Sequence, residues 1–128
     1  IEPALARGLM AIPAARAVEF GRGVKAGLMR GSQHNDKWGE EMSLSDGADG
    51  ALGGMASGAP IHVRITFKPP SGISKPQETF NQVTGMMEEL AIKGRHDPVI
   101  GPRARPVVEA VARLVIADLA IQGGYIDG

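Results

Sequence analysis

The sequence predicts an α+β fold with antiparallel strands and a long carboxyl-terminal helix. Three stretches carry that expectation. Ile61 to Lys68 alternates: Ile61, Val63, Ile65 and Phe67 on one side, His62, Arg64, Thr66 and Lys68 on the other, the period of a strand with one face on a core. Glu78 to Val83 and Met86 to Ile92 read as a hairpin turning at Thr84-Gly85. From about Pro106 to Gln122 apolar residues cover most of a helix, interrupted by Glu109, Arg113 and Asp118 and closed by Gly123-Gly124. A helix this apolar is expected to be buried against more than one surface, and a chain of 128 residues offers little protein to cover it.

The remaining elements follow in order. Pro3 to Ile12 reads as a short helix, with Pro near its start and Leu5, Leu9 and Ile12 on one face. Ala17 to Phe20 is a short strand ended by Gly21-Arg22-Gly23, and Val24 to Met29 a helical turn. Gly31 to Gly58 is rich in Gly, Ser, Asp and Asn without a sustained period, and is expected to be a long loop. Pro69-Pro70 ends the central strand. No internal repeat or domain boundary is visible, so residues 1–128 are read as a single domain. The first residue is Ile1, which suggests a piece of a longer or processed polypeptide.

Composition excludes several classes. Fourteen basic residues balance fourteen acidic ones, so neither a nucleic-acid nor a membrane surface is an expected partner. Five Phe, Trp and Tyr residues are too few for base-stacking platforms. There is no cysteine, hence no disulfide and no thiolate metal site, which fits a reducing cytoplasm. No apolar run reaches the roughly 18 residues of a membrane span. His34 and Asp36 lie in a polar turn but lack a second His at ligand spacing, so no metal site is assigned.

Three segments bear chemistry. Lys93-Gly94-Arg95-His96-Asp97-Pro98 sets a cation, an imidazole and a carboxylate side by side, between a flexible Gly94 and a stiff Pro98. It reads either as an anion site with proton chemistry beside it or as a solvated loop with an internal Arg–Asp pair. Lys68-Pro69-Pro70-Ser71-Gly72 puts a cation, a rigid turn, a hydroxyl and open amides at a strand end, which suits a phosphate but also a plain strand stop. The glycines from Asp49 to Gly58 would let backbone approach a flat ring; alone they read as a flexible connector, without the Gly-Lys-Ser/Thr of a nucleotide loop.

Taken in order, these segments resemble the chorismate synthase family. The matching pieces are Ala11-Ile12-Pro13-Ala14, Val18-Glu19-Phe20-Gly21, Arg30-Gly31-Ser32, Asn35-Asp36, Leu52-Gly53-Gly54 through Ser57-Gly58, and Phe67-Lys68-Pro69. Gly94-Arg95-His96-Asp97-Pro98, Pro102-Arg103-Ala104, Pro106-Val107-Val108-Glu109-Ala110 and Ala117-Asp118 complete the series. The resemblance spans nearly the whole chain and about the carboxyl-terminal third of a family member. It implies part of a β-α-β sandwich with antiparallel sheets and a buried last helix, in a cytoplasmic homotetramer. It implies a carbon–oxygen lyase of the shikimate pathway and aromatic amino acid biosynthesis. The family converts 5-enolpyruvylshikimate 3-phosphate to chorismate by trans-1,4 elimination of phosphate, using reduced FMN (FMNH2), with NADPH a candidate for its reduction.

Carried over residue by residue, the resemblance puts Pro13 and Ala14 on a flavin-contacting turn and Gly53 on a flavin-approaching loop. Lys68, Pro69, Pro70, Ser71 and Gly72 fall on the cradle of flavin phosphate and ring. Arg95 meets flavin and substrate, and Asp97 is the acid working beside the flavin in proton transfer. This chain departs from the family in its loop Asp46-Gly47-Ala48-Asp49-Gly50, where paired glycines and Asn are usual. Asp46 and Asp49 bring negative charge toward an anionic cofactor. Gly72 replaces a hydroxyl residue, Val99 a Cys at what reads as a packing position, and Arg105 an apolar residue. The family's two catalytic histidines lie in its amino-terminal part, and none of the three here matches them. The chain alone is therefore expected to be a partial, inactive site. The alternative is a diverged non-catalytic module for flavin, anion or assembly, which the acidic loop favours.

Overall fold

Leu5, Leu9 and Ile12 are 2%, 1% and 8% exposed and anchor the core around which the first part of the chain folds. The computed structural model describes residues 1–40 and 49–127. They form two compact units: residues 1–68 with 104–128, and residues 69–103.

In the first unit, helix α1 (Glu2–Met10) carries Pro3 in its opening turn, where a missing N–H costs nothing. It leads through a tight turn into β1 (Ala15–Phe20), which pairs antiparallel with β4 (Val63–Phe67). Val18 stands opposite Ile65 and Glu19 opposite Arg64, whose side chains form an ion pair at 3.3 Å. A bulge between Ala15 and Ala17 absorbs Arg16. After β1 come 3₁₀ segments at Gly23–Leu28 and Gly31–Gln33. The expected unbroken loop to Gly58 is corrected further on: β2 (Ala51–Leu52) and β3 (Met55–Ala56) make a small hairpin.

Helix α2 (Gly101–Gln122) begins five residues before the expected Pro106. Pro106 lacks the N–H that would bond to Pro102, so it removes one rung near the helix start without ending the helix. Gly124, at φ +72°, closes the other end, with Tyr125 N–H donating to Ala120 at 2.9 Å. Within the first unit α2 meets α1 closely: a Cβ on Gly8 would lie 2.8 Å from Val115 Cγ2. The expected burial of this helix is not found. Among its described residues only Ala104 is buried, while Leu114 is 70% and Ile116 49% exposed. An apolar groove of about 290 Å³ stays open between α1, β4 and α2, lined by Leu5, Leu9, Ile65, Val108, Ala112 and Ile116. Of the expected inward face of the central strand, Ile61, Val63 and Ile65 line this groove, but the strand begins only at Val63, which is 38% exposed, so that face meets an open groove and not a closed core.

The second unit holds the hairpin β5 (Gln77–Asn81) and β6 (Met86–Leu90). Its four-residue turn is organised by Asn81: the side-chain oxygen accepts from Val83 N–H at 2.8 Å, and the carbonyl accepts from Gly85 N–H at 2.8 Å. Asn81 Nδ2 and Thr84 Oγ1 also donate to the Glu88 carboxylate at 2.9 and 2.6 Å. These two bonds, Asn81's first, hold Glu88 below its ordinary value of 4.5. A lowered folded-state pKa stabilises above the unfolded value and loses that contribution as pH falls through the lowered one. Asn81→Ala is expected to return Glu88 toward its ordinary value, which carboxyl NMR titration would read; an unchanged titration would contradict the assignment.

Candidate functional site

The residues singled out from sequence fall in both units. In the first, Pro13 and Ala14 form the turn between α1 and β1. Pro at its second position and φ +69° at Ala14 mark a type II turn, closed by Ala15 N–H donating to Ile12 at 3.1 Å. Holding a non-glycine residue there costs about 1–2 kcal/mol. Strain of this kind collects at ligand-holding positions. Lys68 N–H donates to the Ala14 carbonyl at 2.9 Å, so β-strand pairing brings two of the expected site segments together. Lys68 is exposed at the end of β4, and among the described residues its ammonium has no carboxylate partner.

Gly53 and Gly54 form the tip of the β2–β3 hairpin, with φ +56° and +86°, the paired positive angles of a type I′ turn. A Cβ at either would meet nothing within 4 Å, so the tip presents bare backbone. No hydrogen bond among the described residues joins Gly53 to Ala14 or Lys68.

In the second unit, β6 stops at Leu90 and residues 91–100 have no regular structure. Gly94 takes φ +150° and His96 Nε2 lies 3.2 Å from the Ile92 carbonyl, which folds the segment back on itself. A Cβ on Gly72 would lie 3.5 Å from His96 Nδ1. The proline turn and the Arg-His-Asp segment are thus neighbours. Asp97 Oδ1 accepts from Arg103 Nη1 at 3.0 Å and lies 4.0 Å from Arg95 Nη2. Sequence reasoning paired Asp97 with Arg95; the tighter partner is Arg103, in the first turn of α2 and expected only as part of Pro-Arg-Ala. Arg95 and Asp97 side chains are 83% and 49% exposed. Two guanidinium groups and one carboxylate facing water leave a net cation with an acidic group at its centre, a combination suited to an anion and to proton transfer.

The departures from the family pattern acquire physical accounts. Asp49 does not present a loose charge: its carboxylate is 12% exposed, accepts from Arg22 Nη1 at 2.7 Å and lies 3.4 Å from His34 Nε2. Asp46 lies outside the described residues. Arg105 pairs with Glu109 at 3.0 Å across one helical turn. Val99 is 53% exposed, so it is not a packing position within this chain. A polar cleft of about 440 Å³ in the first unit is lined by Gly21, Arg22, Asp49, His62 and Arg64, none of them expected from sequence as site residues. Among the described residues no His, Cys, Asp or Glu cluster is placed to hold a metal ion, and no helix is long and apolar enough to cross a membrane.

These elements define an α+β protein whose first unit sets Lys68 beside the strained turn at Ala14 and whose second unit clusters Arg95, Asp97 and Arg103. Comparison with known proteins makes the assignment specific. The chorismate synthase family model matches residues 1–121. The chorismate synthase of Aeropyrum pernix is 47% identical over 125 residues, covering 94% of this chain and 33% of that protein. That of Methanosarcina mazei is 46% identical over 127 residues, covering 96% and 35%. A crystal structure of chorismate synthase superposes with a TM-score of 0.69 at 28% identity, covering 95% of this chain and 30% of the other. The chain belongs to the chorismate synthase family and spans about a third of the length of these relatives.

Proposed function

We propose that residues 1–128 form one carboxyl-terminal portion of a chorismate synthase and carry its flavin-holding and proton-handling groups. The observation that carries this reading is the packing of Gly72 against His96, with Arg95, Asp97 and Arg103 clustered beside it. A phosphate-suited turn and a proton-transfer carboxylate then share one small unit. Reduced FMN, when bound, supplies electron density that assists departure of an allylic phosphate. The phosphate of the flavin would find a cation in Lys68, and donors in the Ser71 hydroxyl and the Ser71 and Gly72 N–H groups. The turn at Pro13-Ala14 and the bare backbone at Gly53 would suit its ring, because neither places a large side chain there.

On 5-enolpyruvylshikimate 3-phosphate the reaction breaks one C–O bond, whose electrons leave with phosphate, and one C–H bond, whose proton is taken up. The remaining electron pair becomes the new double bond, so there is no net oxidation. Arg95 stabilises the anion that forms, and Asp97, oriented by Arg103, moves the proton. The histidines and further arginines of the full site come from outside these residues, as does the cover for the open face of α2. The complete protein in this reading is a cytoplasmic homotetramer whose flavin is kept reduced, NADPH being the candidate donor.

A non-catalytic binding module is the competing reading. It drew its support from the acidic loop, and the pairing of Asp49 with Arg22 removes part of that support. The two are separated by phosphate release from 5-enolpyruvylshikimate 3-phosphate under anaerobic conditions with reduced FMN. The complete protein is expected to turn over, and residues 1–128 alone are not. Lys68→Gln in the complete protein is expected to weaken FMN binding about tenfold, the scale of one charge-assisted bond to phosphate. A complete protein that shows no FMN binding and no phosphate release overturns the enzymatic reading.

A further inference from the structure

Asp49 occupies a position where backbone geometry usually demands glycine. Its φ is +58°, in the left-handed region that Asp tolerates better than most residues. The position therefore keeps the backbone of a glycine and adds a carboxylate. That carboxylate is held from several directions. Arg22 N–H donates to Oδ2 at 3.1 Å and Arg22 Nη1 to Oδ1 at 2.7 Å, while His34 Nε2 stands 3.4 Å from Oδ2. Arg22 is itself fixed between Gly21 and Gly23, at φ +51° and +55°, and Gly21 N–H donates to His62 at 2.7 Å.

The next residue is wedged on another side. Gly50 is buried, and a Cβ there would lie 2.5 Å from the Pro60 carbonyl. Ser57 N–H donates to Gly50 at 3.0 Å and closes the hairpin base. Beyond it stand two-residue strands and a tip whose two glycines have open space at their Cβ positions and which is touched at the Gly54 carbonyl by the Ile1 ammonium. So short a hairpin has too few rungs to fix its own direction, which must come from its base together with the single bond from Ile1 to Gly54 at the tip.

We infer that Asp49 is a positioning residue: clamped by Arg22 beside His34, it fixes the base of the Ala51–Ala56 hairpin and so aims the Gly53-Gly54 turn at the flavin. This rests on the flavin reading given above. The acidic loop, which in isolation counts against an anionic cofactor, here has its Asp49 charge turned inward and neutralised.

The test uses the complete protein and FMN. Asp49→Asn keeps the shape and the left-handed tolerance but removes the charge; Arg22→Gln removes the other half; both are made singly and together. Each single change is expected to weaken FMN binding about fivefold to twentyfold, the double change no more than the worse single one, because both break the same clamp. Amide exchange at Leu52 to Met55 is expected to quicken in all three, and kcat at saturating FMN to stay within about twofold. A structural role alone would lower Tm without moving the FMN dissociation constant, and that result overturns the inference. So does additivity of the two changes. Should Asp49→Asn fail to fold, Arg22→Gln carries the same test. If the unmodified protein binds no FMN, the functional reading falls and this one with it; binding that the variants leave unmoved sinks only the role of Asp49.

Discussion

Asp97→Asn in the complete protein is expected to slow phosphate release by about 10²- to 10⁴-fold, the range that positioned acid–base groups contribute, while leaving the fold and flavin binding intact. The expectation combines two facts. The carboxylate is half-exposed, and its partners are Arg103 at 3.0 Å and Arg95 at 4.0 Å, both largely in water. Ion pairs of that kind contribute about 0–1 kcal/mol to stability, so the substitution has little structure to break. Asn keeps the size of Asp and an oxygen to accept from Arg103, but it does not exchange a proton. Activity and stability should therefore separate, with turnover collapsing and Tm moving by no more than a few degrees. Arg103→Gln is the informative companion. It leaves the carboxylate in place and removes the bond that orients it, so a smaller loss, with kcat falling more than KM rises, is expected. Turnover by Asp97→Asn within about threefold of the unmodified protein would remove Asp97 from the chemistry.

The parts of this chain that could be read from sequence are those whose signal is local. Alternation at Ile61, Val63 and Ile65 gave the central strand because one face lines the apolar groove it shares with α1 and α2. Leu5, Leu9 and Ile12 gave α1 because their spacing is that of one helical face, and all three are buried. The hairpin at Ala51–Ala56 left no such trace: its strands have two residues each, too short for a period, and only Gly53-Gly54 hints at the turn. The charge of Asp49 was misjudged for a different reason. Its partner Arg22 is 27 residues away, and only the approach of Gly21 to the loop brings them together. Arg103 escaped notice as the partner of Asp97 because α2 starts at Gly101, which turns an apparent loop residue into one held by a helix. The burial of α2 belongs to neither category. Apolar composition says that a helix wants cover, and it does not say whether the cover lies in the same stretch of chain.

Gly21→Ala should be among the most damaging single substitutions for stability in this part of the protein, with an expected cost of about 3–5 kcal/mol and a fall in Tm of roughly 10 °C or more. Two effects act together. Gly21 sits at φ +51°, where any L side chain costs about 1–2 kcal/mol. The larger effect is steric: a Cβ there would fall 1.9 Å from Asp49 Cγ and 2.2 Å from its Cβ, far inside contact distance. Relief requires Asp49 to move, and moving it breaks the bonds from Arg22 and strands a carboxylate that is only 12% exposed. The two effects can be told apart. Removing the obstacle as well, in Gly21→Ala with Asp49→Gly, clears the collision and the stranded carboxylate and leaves the conformational cost with the loss of the Arg22 bonds, which the single variant loses too, so the double variant should melt above Gly21→Ala alone despite carrying one more change. Thermal unfolding of the single and double variants decides the matter. A double variant that melts at or below the single one would show that the clash is not what makes Gly21 necessary, and that the chain accommodates the added methyl group by shifting the β1 turn instead.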